Sequence, residues 1–256
     1  MRTPVTRALA FELAALTLLA AAAAAAIPLS TGYLAWSWDA LNHHIYLGLT
    51  AETPRWHLDV LPASFQTYQY PYLYWPVYRL SLWDCCGAQA GALWSALQAA
   101  LLLPPVWLVA HRLLPATGGP AWQGVLERLA ACVLAFASVV VLTGLETTSN
   151  DLMAAVPLLW AVALSLRPPS HRRAFGAAAL WGVATAFKLS NGLYLPLLLL
   201  WWWLPTRPHL PWRRAMALAA GALLGFGLTY APWGWQLWQL TGNPLHPFFG
   251  HWFGGG

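Results

Sequence analysis

Residues 8–29 read ALAFELAALTLLAAAAAAAIPL, an apolar run of about 22 residues broken by a single acid, Glu12. Crossing roughly 30 Å of hydrocarbon takes about 20 residues of helix, so this run alone is long enough to span a bilayer. Arg2 and Arg7 precede it and imitate a secretory signal, but a signal core runs only about 7–15 residues, and the length predicts an uncleaved first span. Working outward, six further apolar runs bounded by charge, Pro or Gly cover 88–110, 125–145, 152–166, 174–187, 193–204 and 215–233. The last three are shorter or interrupted, and the fifth and sixth predict a tight pair around Lys188 to Asn191. The expected fold is all-α: one transmembrane domain over 1–256, a polytopic transmembrane helical bundle of about seven spans.

Composition agrees with a lipid solvent. Of 256 residues 59% are hydrophobic and 8% charged, against roughly 25% charged in an average soluble domain. The 18 Trp and 9 Tyr crowd the ends of the apolar runs, where amphipathic rings meet headgroups. The excess of basic residues lies in short loops between apolar runs, which reads as a topology signal and excludes a nucleic-acid partner as the reason for it. Of three cysteines, Cys132 lies inside an apolar run and Cys85 and Cys86 are neighbours, so neither a disulfide framework nor a structural zinc pattern is present.

Charge sets the expected topology. Arg2, Arg7, Arg112, Arg128, Arg167, Arg172, Arg173, Arg207, Arg213 and Arg214 fall on one side of a seven-span arrangement, against Arg55, Arg79 and Lys188 on the other. By the positive-inside rule the N-terminus is cytoplasmic and the tail over 234–256 is outside. Asp39, Glu52, Asp59, Asp84, Glu146 and Asp151 then all lie outside, leaving Glu127 inside and Glu12 near the start of the first span. Acids contribute little to topology, so their segregation has no explanation in that rule; a long aqueous loop accounts for Glu52, Asp59 and Asp84.

That loop covers about 35–87 and is far longer than the others. Its start, 38–49, predicts an amphipathic helix, and Trp56, Phe65, Tyr68, Tyr70, Tyr72, Tyr74, Trp75 and Tyr78 give the rest an aromatic surface punctuated by Pro54, Pro62, Pro71 and Pro76. Short interfacial helices lying on the outer membrane face are expected.

Four groups could carry chemistry. On a helix Asp39, Asn42, His43 and Tyr46 are spaced by three or four and share a face, with His44 alongside. A carboxylate beside imidazoles can act as general base, orient a hydroxyl or hold a divalent cation, while the plainer reading is a helix cap and interfacial histidines. Glu146-Thr147-Thr148-Ser149-Asn150-Asp151 places two acids in the next outer loop, where Ser149, Asn150 or Asp151 also suits a helix N-cap. Lys188 is the only lysine and sits at the outer end of an apolar run, where a cation either snorkels or pairs, a phosphate being its natural partner. Gly242-Asn243-Pro244 predicts a turn, followed by His246.

Together these positions resemble the GT-C superfamily of membrane glycosyltransferases, which take sugars from polyprenyl-phosphate donors outside the bacterial cytoplasmic membrane. Asp39 opens a long outer loop just beyond span one; Glu146 to Asp151 occupy the next outer loop; Lys188 lies in the one after. Gly242-Asn243-Pro244-Leu245-His246-Pro247 looks like the Gly-Asn-Pro loop of many bacterial members, with His246 where Phe is usual, and Asp59 to Tyr68 looks like their Asp-x-x-Pro-Ala-x-x-Gln-x-Tyr segment. Similar proteins usually continue past the point where this chain reads Gly254-Gly255-Gly256, which leaves a C-terminally truncated product open.

The resemblance implies displacement of a lipid phosphate from the anomeric carbon by an acceptor hydroxyl. Asp39 would be the base, with Glu146 or Asp151 completing the site or binding a divalent metal that some members do without. Lys188, helped by Arg55 or Arg79, would stabilise the leaving phosphate; His43, His44, Tyr46, Asn243 and His246 would contact substrate. The implied partners are the lipid bilayer, a polyprenyl-phosphate-linked sugar and an acceptor, with no nucleic acid. A transporter or lipid flippase, and a non-catalytic fragment, are the alternatives; a transporter predicts matched broken helices and charges at the bilayer midplane, and the sequence displays neither.

Overall fold

The computed structural model describes residues 7–34, 37–83, 87–114, 120–203 and 211–253. Arg2, Asp84, Cys85, Cys86 and Arg207, which entered the readings of charge and cysteine, lie outside the described residues. The described chain is all-helical, without a β-strand. Its α-helices are α1 (Arg7–Thr31), α2 (Ile45–Glu52), α3 (Trp75–Ser81), α4 (Gly87–Leu113), α5 (Ala121–Phe136), α6 (Val139–Leu145), α7 (Asp151–Ser165), α8 (His171–Phe187), α9 (Leu195–Trp203), α10 (Trp212–Thr241) and α11 (Gly250–Phe253).

The expected seven spans are corrected to three, or four if one bent pair counts as a span. Among the described residues only α1, α4 and α10, about 37, 40 and 45 Å long at 1.5 Å per residue, combine the length and apolarity to cross a membrane. The third expected span is broken: α5 and α6 meet at 70° across Ala137 and Ser138, and the Ser138 hydroxyl caps the new helix by accepting from the Val141 amide. Helix α7 is apolar but has only 15 residues, α8 opens with His171, Arg172 and Arg173, and α9 rises only about 13 Å. The last expected span also reaches further than 233, because α10 continues to Thr241.

At the arginine end, the Arg128 guanidinium on α5 makes two bonds of 2.7 and 2.6 Å to Glu12 on α1, and the Trp107 indole on α4 donates to the same carboxylate at 2.8 Å. This is the one acid in the first apolar run, and it is neutralised and fully bonded where an unpaired charge would be costly. Arg112 donates to the Ala163 carbonyl of α7, and Trp201 of α9 to the Ser165 carbonyl at 3.1 Å. At the opposite, acidic end lie the segment 37–83, the turn 146–150, Lys188 and the segment after α10.

In space the main helices follow one another as α1, α4, α7, α8 and α10, with neighbours packed side by side. Helices in lipid gain nothing from burying apolar surface against each other and pack tightest through small residues. Gly221 and Gly225 on α10 face Phe175 and Ala179 of α8, and Gly182 faces Ala222 and Phe226, so close that a Cβ at any of the three would lie on the opposite backbone. The outer sides stay apolar: Phe11 is 76% and Leu223 74% exposed, surfaces suited to acyl chains.

The broken α5–α6 pair positions the acidic turn. A helix that stops within the bundle leaves carbonyls without partners, and the buried polar face of α4 supplies them. Ser95 donates to the Leu145 carbonyl at 2.5 Å, Gln98 to Gly144 at 3.4 Å, and the fully buried Trp94 to Thr147 at 3.0 Å.

The segment 37–83 departs from the single amphipathic helix expected over 38–49. It begins with a π-helical turn, Ala40–His44, in which the Ile45 amide reaches back five residues to the Ala40 carbonyl, and continues as α2. A 3₁₀ turn, Ser64–Tyr68, and α3 follow. Gly48 lets α2 meet the backbone of Tyr74, where any Cβ would collide with Tyr78 and the Tyr74 carbonyl.

Candidate functional site

The π turn decides which side chains face inward. Successive residues of a helix lie about 100° apart, so two neighbours can share its buried side, and the extra residue of the π turn sets which two do. His43 and His44 are accordingly both buried, edge to face with ring centroids 4.3 Å apart. The four-residue face expected from α-helical spacing is split. Asn42 donates to Gln66 at 3.2 Å and Tyr46 to Asp59 at 3.2 Å, so both are tied to their own segment, while Asp39 stays beside His43, Oδ1 to Nδ1 3.8 Å.

His44 is held on three sides. Its Nδ1 lies 2.7 Å from the Thr148 hydroxyl in the acidic turn, its ring stacks on Tyr74 at 4.7 Å, and His43 closes the third side. Burial, reinforced by His43, pushes its pKa down to about 3, so near neutrality it is an uncharged ring that orients Thr148. Burial also lowers His43, against the opposing pull of Asp39. The Nδ1 of His43 is buried without a hydrogen-bond partner, leaving an open position next to the Asp39 carboxylate.

Asp151 and Lys188 form the other half of the site. Asp151 opens α7, where the helix dipole favours a carboxylate; Ser149 donates to it at 2.7 Å and Lys188 forms an ion pair with it. Asn150 occupies the N-cap position without making a side-chain cap. Asn191 fixes the backbone after Lys188 by donating to the Ala184 and Ala154 carbonyls at 2.9 and 3.3 Å. The two halves share Tyr74, whose phenol is raised well above its ordinary range by burial and then by the carboxylates of Asp151 and Asp39. Asp39, His43, His44 and Asp151 thus gather about one buried tyrosine, with Lys188 joined to the group through Asp151.

Other expected site residues are placed elsewhere. Arg55 pairs with Asp59 at 3.2 Å and Arg79 with Glu52 at 3.2 Å, so each is matched by an acid of its own segment rather than brought to Lys188. Glu146 follows α6 and forms no ion pair among the described residues. The buried Asn243 spends both ends of its amide on its loop, donating to the Phe248 carbonyl at 2.7 Å and accepting from the Leu245 amide at 2.9 Å. It shapes the loop that carries His246, which meets Tyr68 edge to face at 4.4 Å.

Between these elements lies a cavity of about 200 Å³ bordered by Lys188, Asn150, His246, Tyr68 and Tyr70. A second hollow of about 460 Å³, bordered by Asp151, Ala155, Leu158, Asn191 and Leu193, shares Lys188 and Ser190 with it. Among the described residues no three His, Cys, Asp or Glu side chains gather as a metal site, and the single Asp39–His43 neighbour pair does not supply a full ligand set.

Tyr74 and Thr148 are functional neighbours that reading the residues in order misses. Tyr74 is one of several alternating tyrosines with nothing to distinguish it, and Thr148 is informative only once His44 is known to reach it. Comparison with known proteins finds no family, no curated protein and no solved structure that matches this chain.

Proposed function

We propose that this chain is a membrane glycosyltransferase that moves a sugar from a polyprenyl-phosphate donor to an acceptor hydroxyl, in the bacterial cytoplasmic membrane with its acidic end outside. The supporting observation is the Lys188–Asp151 pair, its lysine at the border of a cavity, with the Asp39–His43 pair near the same buried Tyr74. A cation at the membrane end of a helical bundle suits a lipid phosphate, and a half-exposed carboxylate suits proton acceptance from a hydroxyl.

In this reading the acceptor oxygen attacks the anomeric carbon and its proton passes to Asp39. The bond from the anomeric carbon to the phosphate oxygen breaks, and the electron pair leaves with the lipid phosphate. Lys188 stabilises that negative charge, and Asp151 fixes the ammonium in place. His43, with its open Nδ1, sits where it can take or share the proton held by Asp39. The test is sugar transfer by purified chain from a panel of polyprenyl-phosphate donors. Loss in Asp39→Ala and Lys188→Ala variants is expected; transfer undiminished in both sinks the assignment.

A further inference from the structure

We propose that the 200 Å³ cavity beside Lys188 is a subsite for one neutral sugar ring, a role that rests on the transferase reading while its chemistry stands on the cavity's own walls. Three observations carry it.

The first is a set of polar side chains with no protein partner. Asn150 is 5% exposed, lines the cavity, and its side-chain amide makes no hydrogen bond among the described residues. Its amide atoms are not among those sealed away from solvent without a partner, so the side chain is open to a ligand or an ordered solvent molecule. The side chains of Gln69 and Ser190 border the same space and are likewise without a hydrogen bond among the described residues. Two amides and a hydroxyl offer both donors and acceptors, the pattern that hydroxyl groups on a ring match.

The second is the aromatic wall. Tyr68 presents its ring between Trp56, stacked at 5.9 Å, and His246, edge-on at 4.4 Å; Tyr70 lies 5.7 Å from Phe187 and 6.2 Å from Tyr230. Such rings give the C–H side of a sugar an apolar surface to pack on, while its hydroxyl edge turns to the amides. The third is size and charge. A volume of about 200 Å³ equals about six or seven waters, the bulk of one monosaccharide and less than two. Apart from Lys188, none of the described residues on the wall is an acid, a lysine or an arginine, which suits an uncharged ring beside a phosphate held at Lys188.

The subsite also orders the donor. With the phosphate at Lys188, the sugar enters the aromatic cavity and the lipid is left to the second hollow, whose border includes Leu158 and the exposed Leu193.

The probe is a panel of neutral methyl hexosides and pentosides, read by saturation-transfer difference NMR on the purified full chain in detergent. At least one glycoside is expected to bind, with ring C–H protons most strongly saturated, and binding is expected to weaken about tenfold or more in Asn150→Ala and Tyr68→Ala. Gln69→Ala and Ser190→Ala, at less buried positions that put folding at little risk, are expected to weaken it about three- to tenfold. Absence of saturation transfer to every glycoside, or binding indifferent to all four variants, overturns the subsite. Transfer activity that survives such a result leaves the transferase standing without this cavity. Variant-sensitive glycoside binding in a chain that transfers no sugar supports the subsite and removes the transferase.

Discussion

Lys188, at the end of α8, forms an ion pair with Asp151, at the first turn of α7, across 37 residues of sequence. Both side chains are about half exposed, 41% and 54%, and an ion pair so wetted contributes only about 0–1 kcal/mol to stability. The account therefore separates folding from function at this pair. Lys188→Gln is expected to shift the melting temperature by no more than a few degrees while lowering sugar transfer by about 100-fold, the scale of losing one charge stabiliser in a transition state. Thermal unfolding and initial rates on the same preparation check it.

His44 makes stability depend on pH. Its folded pKa, about 3, lies below the ordinary 6.5, so the unfolded chain binds a proton that the native chain refuses. The stabilisation from keeping it neutral is fully present above pH 6.5 and is lost progressively as pH falls from 6.5 toward 3. His43 and His246, both lowered by burial, act in the same direction. Melting temperature measured between pH 7.5 and 4.5 is expected to fall, and the slope to flatten in His44→Gln. An unchanged slope in that variant would assign the pH dependence to other groups.

The small-residue seam between α8 and α10 predicts a steep penalty for bulk. Gly225→Leu would place a side chain on the Ala179 backbone, which neither helix can yield without separating, and a destabilisation of about 3 kcal/mol or more is expected. Gly227→Leu, two residues along and in open space, is the control expected to fold normally. Detergent-resistant folding assayed by thermal shift compares them.

Ser95 predicts a coupling between the bundle and the site. In Ser95→Ala the buried Leu145 carbonyl loses its partner, at a cost of about 1–3 kcal/mol, and the turn carrying Thr148 and Asp151 loses an anchor. Activity is expected to fall although Ser95 touches no site residue, and Ser95→Thr, which keeps the hydroxyl, is expected to restore much of it. Activity untouched by Ser95→Ala would show that the turn is held without this hydroxyl.

How far the fold is legible in the sequence depends on what each segment uses to end. Helices α1, α4 and α10 are apolar runs long enough to cross a bilayer and declare themselves by length. The break at Ala137 and Ser138 carries no Pro or Gly and its only local mark is a serine cap; the end of α6 is held by Ser95, Gln98 and Trp94, some fifty residues earlier. Helices α7, α8 and α9 read as spans because periodicity reports apolarity, and apolar residues packed on neighbouring helices look the same as those facing lipid. At the site, Asp39, His43, His44, Asp151 and Lys188 stand out as polar residues at apolar boundaries. Their grouping around Tyr74 does not, because it needs the π turn, which no 3.6-residue pattern expresses. Arg55, Arg79 and Asn243 fail for the opposite reason: each satisfies its charge or amide within a few residues or across one short segment, a local use that a list of polar residues does not reveal.

The central claim is that Asp39 and Lys188 act on one lipid-phosphate donor. Its most direct measurement is the release of free polyprenyl phosphate, with matching sugar transfer, from glycosylated donor by the parent chain, Asp39→Asn, Lys188→Gln and the double variant. The account predicts turnover by the parent with at least one donor, losses of about 100-fold in each single variant, and a double loss smaller than the product of the two, because both groups serve the same transition state. Single variants that turn over donor at the parent rate, or a parent chain that releases no polyprenyl phosphate from any donor, would contradict it.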